Sequence, residues 1–186
     1  MSGRKTEGVY VALLRGINLG GKNKLPMKDL VLMFDGAGCS DVQTYIQSGN
    51  VVFCATEAGA SRVPTLVAKA IADRLGFKAP VVLRTARELQ AVARGNPFLK
   101  AGADPDTLHV VFLADRPPPA KVAALDPARS PPDEFQVRGR EIYLRCPNGL
   151  GRTKLSNAYF DSKLGTISTV RNWRTVLTLA EMAGSA

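Results

Sequence analysis

The order of strand and helix patterns along the chain restricts its possible folds more than any other feature of the sequence. A nearly unbroken apolar run opens the series and is typical of a central strand covered on both faces. After the first helix, the polar residues 47–50 separate two β-rich runs and predict a hairpin. The patterns of the first half are a strand at 8–15, a helix at 26–35, strands at 42–46 and 51–54, a helix at 62–75 and a strand at 79–84.

The same β-α-β-β-α-β order returns in the second half of the chain. Its patterns are a strand at 107–114, a short helix at 117–125, strands at 135–137 and 141–146, a helix at 154–164 and a short strand at 166–170. A last helix begins after Asn172, which can cap it. The simplest fold with this order is α+β, with two ferredoxin-like subdomains, a short linking helix and a C-terminal helix.

A segment between the two repeats predicts where one subdomain ends and the next begins. Thr85 and Glu88 have the spacing of a capping box, so a short helix starts there and ends at Gly95. Residues 95–106 are rich in Gly, Pro and Asp, which is typical of a linker. We therefore expect a first subdomain at 8–84, a linking helix and loop at 85–106, and a second subdomain with the C-terminal helix at 107–183.

Positive charge is concentrated in two segments that lie far apart in the sequence. The chain carries 25 Lys and Arg against 16 Asp and Glu, a formal net charge of +9. Residues 1–28 hold six basic side chains and one acidic one, and residues 138–174 hold eight basic and two acidic ones. If the fold brings these segments together, they form a positive surface suited to phosphate, nucleic acid or carboxylate ligands. The alternative is two solvated basic faces that only keep the protein soluble.

The first basic segment contains a glycine-rich motif, residues 15–24, with part of the spacing of a P-loop. Gly16, Gly21 and Lys22 fit that pattern, but Asn23 stands where the magnesium-binding hydroxyl should be. Pro26 also delays the helix, which a P-loop needs to start directly after the lysine. We therefore reject a nucleoside triphosphatase and expect either a weaker anion site or only a flexible turn. The candidate ligand-binding residues here are Arg15, Asn18, Lys22, Asn23 and Lys24.

A second glycine-rich motif, residues 148–157, leads into the helix predicted at 154–164. Thr153 would cap that helix, whose free amides and neighbouring basic side chains would attract a phosphate or carboxylate. The alternative is an ordinary cap with exposed basic residues. Its candidate ligand-binding residues are Arg152, Lys154 and Asn157.

A third motif, residues 169–175, places two arginines beside Trp173. This arrangement suggests base stacking, although Trp173 also lies on the apolar stripe of its helix, which favours core packing. In either case Arg171 and Arg174 can point outward, and both are candidate ligand-binding residues.

The hairpin tip at residues 47–50 offers polar side chains without charge, and turn formation alone can explain them. With the first and third strands taken as parallel, this tip and the loop after Arg15 would lie at opposite ends of the sheet, about 17–20 Å apart. We therefore expect that these two segments do not share a small ligand, and that the second subdomain supplies the partner groups.

The cysteines and the histidine restrict the catalytic chemistry. There are three cysteines without a C-x-x-C pair, and His109 is the only histidine. These numbers do not fit a zinc knuckle or a multi-histidine site, so we expect no metal and no cofactor. His109 lies in a run typical of a buried strand, where a packed histidine is the usual outcome. If the protein is an enzyme, His109 is nevertheless the leading candidate for its base.

Four stretches of the chain resemble domain-of-unknown-function family 1697. They are ALLRGINLGGKNKLPM at 12–27, TYIQSGNVVF at 44–53, GLGRTKLSN at 149–157 and RNWRTV at 171–176. The resemblance covers about residues 8–181 and implies a bacterial α+β protein of two ferredoxin-like subdomains. Leu19 and Thr153 stand where many members have Val and Ser. The family has no established activity, so the resemblance implies no catalytic residue.

Two functional hypotheses follow from the sequence. The first is a cytoplasmic binding module, without a membrane partner, that holds a phosphorylated small molecule or a nucleic acid on its basic glycine-rich surface. The second is an enzyme that acts on a small anionic substrate in a cleft between the subdomains. The aromatic residues predicted in central strands do not form the usual RNA-recognition strings, which disfavours nucleic acid. No apolar run reaches the roughly 18 residues of a membrane span.

Overall fold

The computed structural model describes residues 6–186. Within them the chain divides into two compact units. The first unit holds the described residues up to Gln90 together with Leu179–Ala186, and the second holds Ala91–Thr178.

The first unit is built on a four-stranded antiparallel sheet. Its elements are β1 (Glu7–Leu14), α1 (Met27–Gly36), β2 (Ser40–Tyr45), β3 (Asn50–Thr56), α2 (Glu57–Ala60), α3 (Val63–Leu75) and β4 (Val81–Thr85). The strands lie in the order β2-β3-β1-β4. β1 is central and runs antiparallel to both β3 and β4. This is the arrangement of a ferredoxin-like unit.

The core of the first unit lies between its sheet and its helices. Strand residues that alternate along β1 and β3 present Leu14 and Phe53 to the helices, because successive strand side chains point to opposite faces. Phe34 of α1 meets Phe53 with ring centroids 5.2 Å apart. The buried residues of α1 are Leu30, Met33 and Phe34, while Val31 is only half-buried.

The second unit repeats the plan. α4 (Ala86–Arg94) follows β4 and begins in the first unit, and α8 (Trp173–Ser185) ends in it. The elements between them are α5 (Pro97–Lys100), β5 (Leu108–Leu113), α6 (Pro119–Ala123), β6 (Glu134–Arg138), β7 (Glu141–Arg145), α7 (Asn157–Leu164) and β8 (Ser168–Asn172). The strand order is β6-β7-β5-β8, and every pair is antiparallel. The predicted α+β fold of two ferredoxin-like subdomains with a C-terminal helix is therefore confirmed.

The junctions between elements follow local chemistry. The predicted capping box forms, since the Thr85 amide donates to Glu88 Oε2 at 2.8 Å and the Glu88 amide donates to Thr85 Oγ1 at 3.1 Å. The predicted linker is not structureless. Asn96 caps α5 through its Oδ1, and a 3₁₀ turn at Pro105–Thr107 precedes β5. Within residues 6–186, no helix combines the length and the apolarity needed to cross a membrane.

Candidate functional site

The end of β1 and the tip of the β2–β3 hairpin lie side by side. The Leu14 amide donates to the Gly49 carbonyl at 2.8 Å. The expectation that the loop after Arg15 and this tip occupy opposite ends of the sheet is therefore wrong. A crossover makes β1 and β2 parallel and the hairpin then reverses the chain, so β3 runs antiparallel to β1. The end of β1 consequently meets the start of β3.

The glycine-rich motif after β1 is a miniature hairpin with a two-residue turn. The Asn18 amide donates to the Asn23 carbonyl at 3.0 Å, and the Lys22 amide donates to the Leu19 carbonyl at 2.9 Å. The two central residues have positive φ, 53° at Gly20 and 79° at Gly21, as a type I′ turn requires. The paired glycines are therefore explained by the turn.

Two asparagines hold this hairpin in place. Asn18, itself at a φ of 53°, donates through Nδ2 to the Leu25 carbonyl at 3.0 Å and to the Gln47 carbonyl at 2.8 Å. Its Oδ1 accepts from the Leu25 amide at 2.8 Å. Asn23 donates through Nδ2 to the Gly16 carbonyl at 2.7 Å. The side chain of Asn18 thus joins the loop to the hairpin tip, and that of Asn23 closes the loop on itself.

The hairpin tip is unusually constrained. Gly49 has a φ of 82°, and a Cβ at this position would come within 2.6 Å of the Leu14 Cβ. The buried Asn50 side chain donates to the Tyr45 carbonyl at 3.1 Å and to Ser48 Oγ at 2.9 Å. Between these restraints, Ile46 adopts a φ of 49°, a region that β-branched residues rarely occupy.

A cleft of about 520 Å³ opens where the loop, the tip and the start of α1 meet. It has both polar and apolar walls, formed by Asn18, Gly21, Lys24, Leu25, Pro26, Met27 and Gln47. Pro26 occupies the N-cap position without a side-chain hydrogen bond, so the amides of Met27 and Lys28 at the start of α1 have no capping acceptor. In the part of the chain described, the Lys24 and Gln47 side chains form no hydrogen bond or ion pair.

The structure assigns different positions to the candidates of the first motif. Asn18 and Lys24 line the cleft, although the hydrogen-bonding atoms of Asn18 are already used by the loop. Lys22 and Asn23 are exposed and lie outside the cleft lining. Arg15 is half-buried directly after β1, and its amide donates to the Pro80 carbonyl at 2.9 Å. Gln47, which was not among the candidates, does line the cleft.

The second glycine-rich motif does not have the predicted helix start. α7 begins at Asn157, and its N-cap is Ser156, whose Oγ accepts from the Tyr159 amide at 3.2 Å. The prediction that Thr153 caps this helix is therefore wrong. Thr153 instead ends a 3₁₀ turn at Leu150–Arg152. Ser156 is itself a favourable N-cap residue, and the sequence therefore contained the signal for the true helix start.

The basic residues of this second loop lie outside the helix. Arg152 and Lys154 are exposed, and the Lys154 amide donates to Oγ of the buried Ser130 at 3.0 Å. Ser130 in turn donates to Asp133 Oδ2 at 2.8 Å. Asn157 is half-buried, and its Oδ1 accepts from Ser168 Oγ at 3.2 Å. α7 begins at Asn157, so the positive end of its dipole lies at Asn157 and not at Arg152 or Lys154.

The two arginines beside Trp173 have opposite environments. Arg171 is only 8% exposed and donates through Nη1 to Thr169 Oγ1 and to the Val170 carbonyl, both at 2.8 Å. Burial lowers the pKa of Arg171 to about 10. The expectation that Arg171 points outward is therefore wrong. Arg174 is exposed, with Nη2 3.5 Å from Asp106 Oδ1, and Trp173 is buried as core packing predicts.

His109 is a buried histidine of the central strand β5. Burial lowers its pKa, and a backbone hydrogen bond at Thr107 opposes that shift. Its Nδ1 has no hydrogen-bond partner. The nearby strand end carries Cys146, whose pKa burial raises to about 11, so this thiol is not activated. Nowhere in residues 6–186 do three or more His, Cys, Asp or Glu side chains cluster in a way that could hold a metal ion.

Comparisons with known proteins agree with this architecture. A family model described as a protein of unknown function (DUF1697) matches residues 8–143. A solved structure, that of the conserved bacterial protein SP0830 from Streptococcus pneumoniae, superimposes with a TM-score of 0.71 at 22% sequence identity. The superposition covers 96% of this chain and 99% of the other, which shows a shared fold. No protein of curated function matches the sequence significantly.

Proposed function

The chain belongs to DUF1697, a family of proteins of unknown function, and from that premise we propose that its first unit binds a small phosphorylated molecule in the cleft beside Lys24. The cleft has the size of small-molecule sites, which typically span about 300–1,000 Å³. One observation carries the proposal: at one concave surface, a lysine and an amide side chain that have no partner within residues 6–186 meet a helix start whose N-cap residue supplies no side-chain acceptor.

The groups at the cleft supply the donors that a phosphate needs. The Lys24 ammonium and the Gln47 amide lie in the lining without protein partners among the described residues. The first amides of α1, at Met27 and Lys28, lack a capping side chain, and the positive end of the helix dipole favours an anion there. The chain's net charge of +9 raises the local concentration of anions. Exposed cations such as Lys22, Arg152 and Arg174 contribute to this general attraction.

The aromatic side chains favour a small molecule over a nucleic acid. Proteins that bind single-stranded RNA on such sheets use exposed rings as stacking platforms. Here Phe53, Phe112 and Tyr143, which lie on central strands, are all at most 4% exposed. Tyr10 is itself covered on one side, because it stacks on Phe53 with ring centroids 5.8 Å apart. The central strands therefore lack a row of free rings.

Calorimetric titration at low ionic strength tests the proposal, with inorganic phosphate and a single-stranded oligonucleotide as separate probes. We expect phosphate to bind and Lys24→Gln to weaken it roughly tenfold, the value of one charge-assisted hydrogen bond. Lys100→Gln removes the same charge from an exposed position in the second unit and should leave the affinity unchanged. If both variants lose phosphate affinity equally, the protein's net charge and not a site at Lys24 would explain the binding. An oligonucleotide that binds with a steep salt dependence while phosphate does not would favour a nucleic-acid partner instead.

A further inference from the structure

Ile46 combines two unfavourable features and directly precedes Gln47, which lines the cleft. Its φ of 49° is strained for a residue that is not glycine, and a β-branched side chain tolerates this region least. The side chain is also 52% exposed, so core packing contributes little in return. Glycine or asparagine would form the same turn at lower cost. The requirements of the fold therefore do not account for isoleucine at this position.

Leu19 presents a second large apolar side chain, on the loop that Asn18 joins to the hairpin tip. It is 63% exposed and sits at the first position of the loop turn, beside Asn18. Ile46 is likewise the chain neighbour of Gln47. Because Asn18 Nδ2 and the Gln47 carbonyl are hydrogen-bonded at 2.8 Å, Leu19 and Ile46 flank the same junction. These two residues are called the apolar rim below.

The walls of the cleft continue this apolar character. Leu25, Pro26 and Met27 line it next to the lysine and the amide side chain. An inorganic phosphate ion would gain nothing by contact with these apolar walls, whereas the apolar body of a phosphate ester would bury them. The volume of about 520 Å³ is also several times that of a single phosphate group.

We propose that the apolar rim, Leu19 and Ile46, contacts the organic body of a phosphate monoester whose phosphate lies beside Lys24. This inference rests on the proposed function and adds the class of ligand to it. The strained backbone at Ile46 keeps an exposed isoleucine next to Gln47, which lines the cleft, whereas the asparagine or glycine of an ordinary turn would supply no apolar side chain there.

The test compares inorganic phosphate with phenyl phosphate, which presents the same anion on an apolar ring. Calorimetry on the full chain should give an affinity for phenyl phosphate roughly tenfold higher, since burial of the ring and the rim removes apolar surface from water. Ile46→Asn should abolish most of this preference and leave the affinity for inorganic phosphate unchanged. Leu19→Ser should also reduce the preference for phenyl phosphate, and it does so without altering the backbone position of Ile46.

Stability and matched controls separate a binding effect from a folding effect. Asparagine accepts positive φ, so Ile46→Asn should unfold at the same temperature as the natural chain or a higher one. Ile167→Asn makes the same substitution at a 46% exposed position before β8 and should change neither affinity. A melting temperature that falls together with both affinities would mean that Ile46 is structural, and would overturn the inference.

The remaining outcomes are distinguishable. If phosphate and phenyl phosphate bind equally, or if Ile46→Asn keeps the preference for phenyl phosphate, the apolar rim does not contact the ligand. The inference is then wrong, while the proposed phosphate site beside Lys24 is retained. If neither probe binds, the proposed function and this inference both fail. If sedimentation shows a dimer that Ile46→Asn or Leu19→Ser dissociates, the rim is covered by a second copy of the chain, and the ligand assignment is wrong.

Discussion

The side-chain amide of Asn18 donates a 2.8 Å hydrogen bond to the backbone carbonyl of Gln47, which is 29 residues further along the chain. The same Nδ2 also donates to the Leu25 carbonyl, and Oδ1 accepts from the Leu25 amide. One side chain thus connects the loop after β1, the approach to α1 and the hairpin tip. These are the three segments that surround the proposed ligand cleft.

Substitution of Asn18 should therefore destabilise the loop and the cleft together. Asn18→Gly keeps the positive φ but removes three hydrogen bonds, each of which contributes about 0.5–1.5 kcal/mol. We expect a loss of about 1.5–4.5 kcal/mol in urea unfolding and a weaker affinity for phosphate. Asn23→Gly, which removes one hydrogen bond at a φ of 52°, should lose less than half as much. Equal losses in the two variants would contradict the connecting role of Asn18.

Gly49 should tolerate no side chain. Gly49→Ala places a Cβ within 2.6 Å of the Leu14 Cβ at a φ of 82°, so steric overlap is added to the backbone cost. We expect a loss of about 3 kcal/mol in chemical denaturation. Gly38→Ala is the matched control, since its φ is 85° but nothing lies within 4 Å of its Cβ, and it should lose only about 1–2 kcal/mol. A Gly49→Ala variant as stable as Gly38→Ala would mean that β1 and the hairpin tip are not in close contact.

His109 should make the stability of the protein depend on pH below neutrality. Burial lowers its folded-state pKa below the ordinary 6.5, so the unfolded chain binds the proton more readily. Between the unfolded pKa and the lower folded pKa, stability should therefore fall as the pH falls, and above about 6.5 it should not change through this group. Unfolding curves between pH 7.5 and 5.5 measure this slope.

The matched variant for that experiment is His109→Gln, because glutamine does not titrate. With His109 the only histidine in the chain, the variant should have a flatter stability profile in this pH window. An identical slope in both proteins would show that another group is responsible.

Substitution of Arg171 should lower the free energy of unfolding, whereas substitution of Arg174 should leave it nearly unchanged. Arg171→Met leaves the buried acceptors at Thr169 and Val170 without their donor, and we expect a loss of about 2 kcal/mol. Arg174→Met removes only an exposed ion pair with Asp106 and should leave the free energy of unfolding nearly unchanged. Thermal unfolding of both variants checks this, and a destabilised Arg174→Met with an unaffected Arg171→Met would contradict the assigned environments.

The predictions from sequence succeeded where the signal was local. The capping box at Thr85 and Glu88 and the cap at Asn172 each depend on residues a few positions apart. Such signals predicted the two β-α-β-β-α-β units and their fold class. The helix predicted from residue 154 begins three residues later, at Asn157, because Ser156 and not Thr153 is its N-cap.

The candidate site was only partly predictable. Positive charge beside glycines predicts Lys24, which lines the cleft. The wrong assumption that the first and third strands are parallel places Gln47, which also lines the cleft, at the far end of the sheet. The information needed was present, since a crossover followed by a hairpin makes β1 and β3 antiparallel. Arg171 is a different case. Whether an arginine on an edge strand is buried depends on what covers it, and the chain's own spacing does not specify that.

By itself the sequence determined which segments become strands, helices and tight turns, because periodicity, caps and positive-φ glycines act over a few residues. Only the tertiary structure decided that Asn18 meets Gln47, that Ile46 stands exposed beside that contact, and that Asn18 and Asn23 bind backbone carbonyls. Those relationships join residues far apart in the chain. They arise when strands pair and loops are brought together, so no local pattern encodes them.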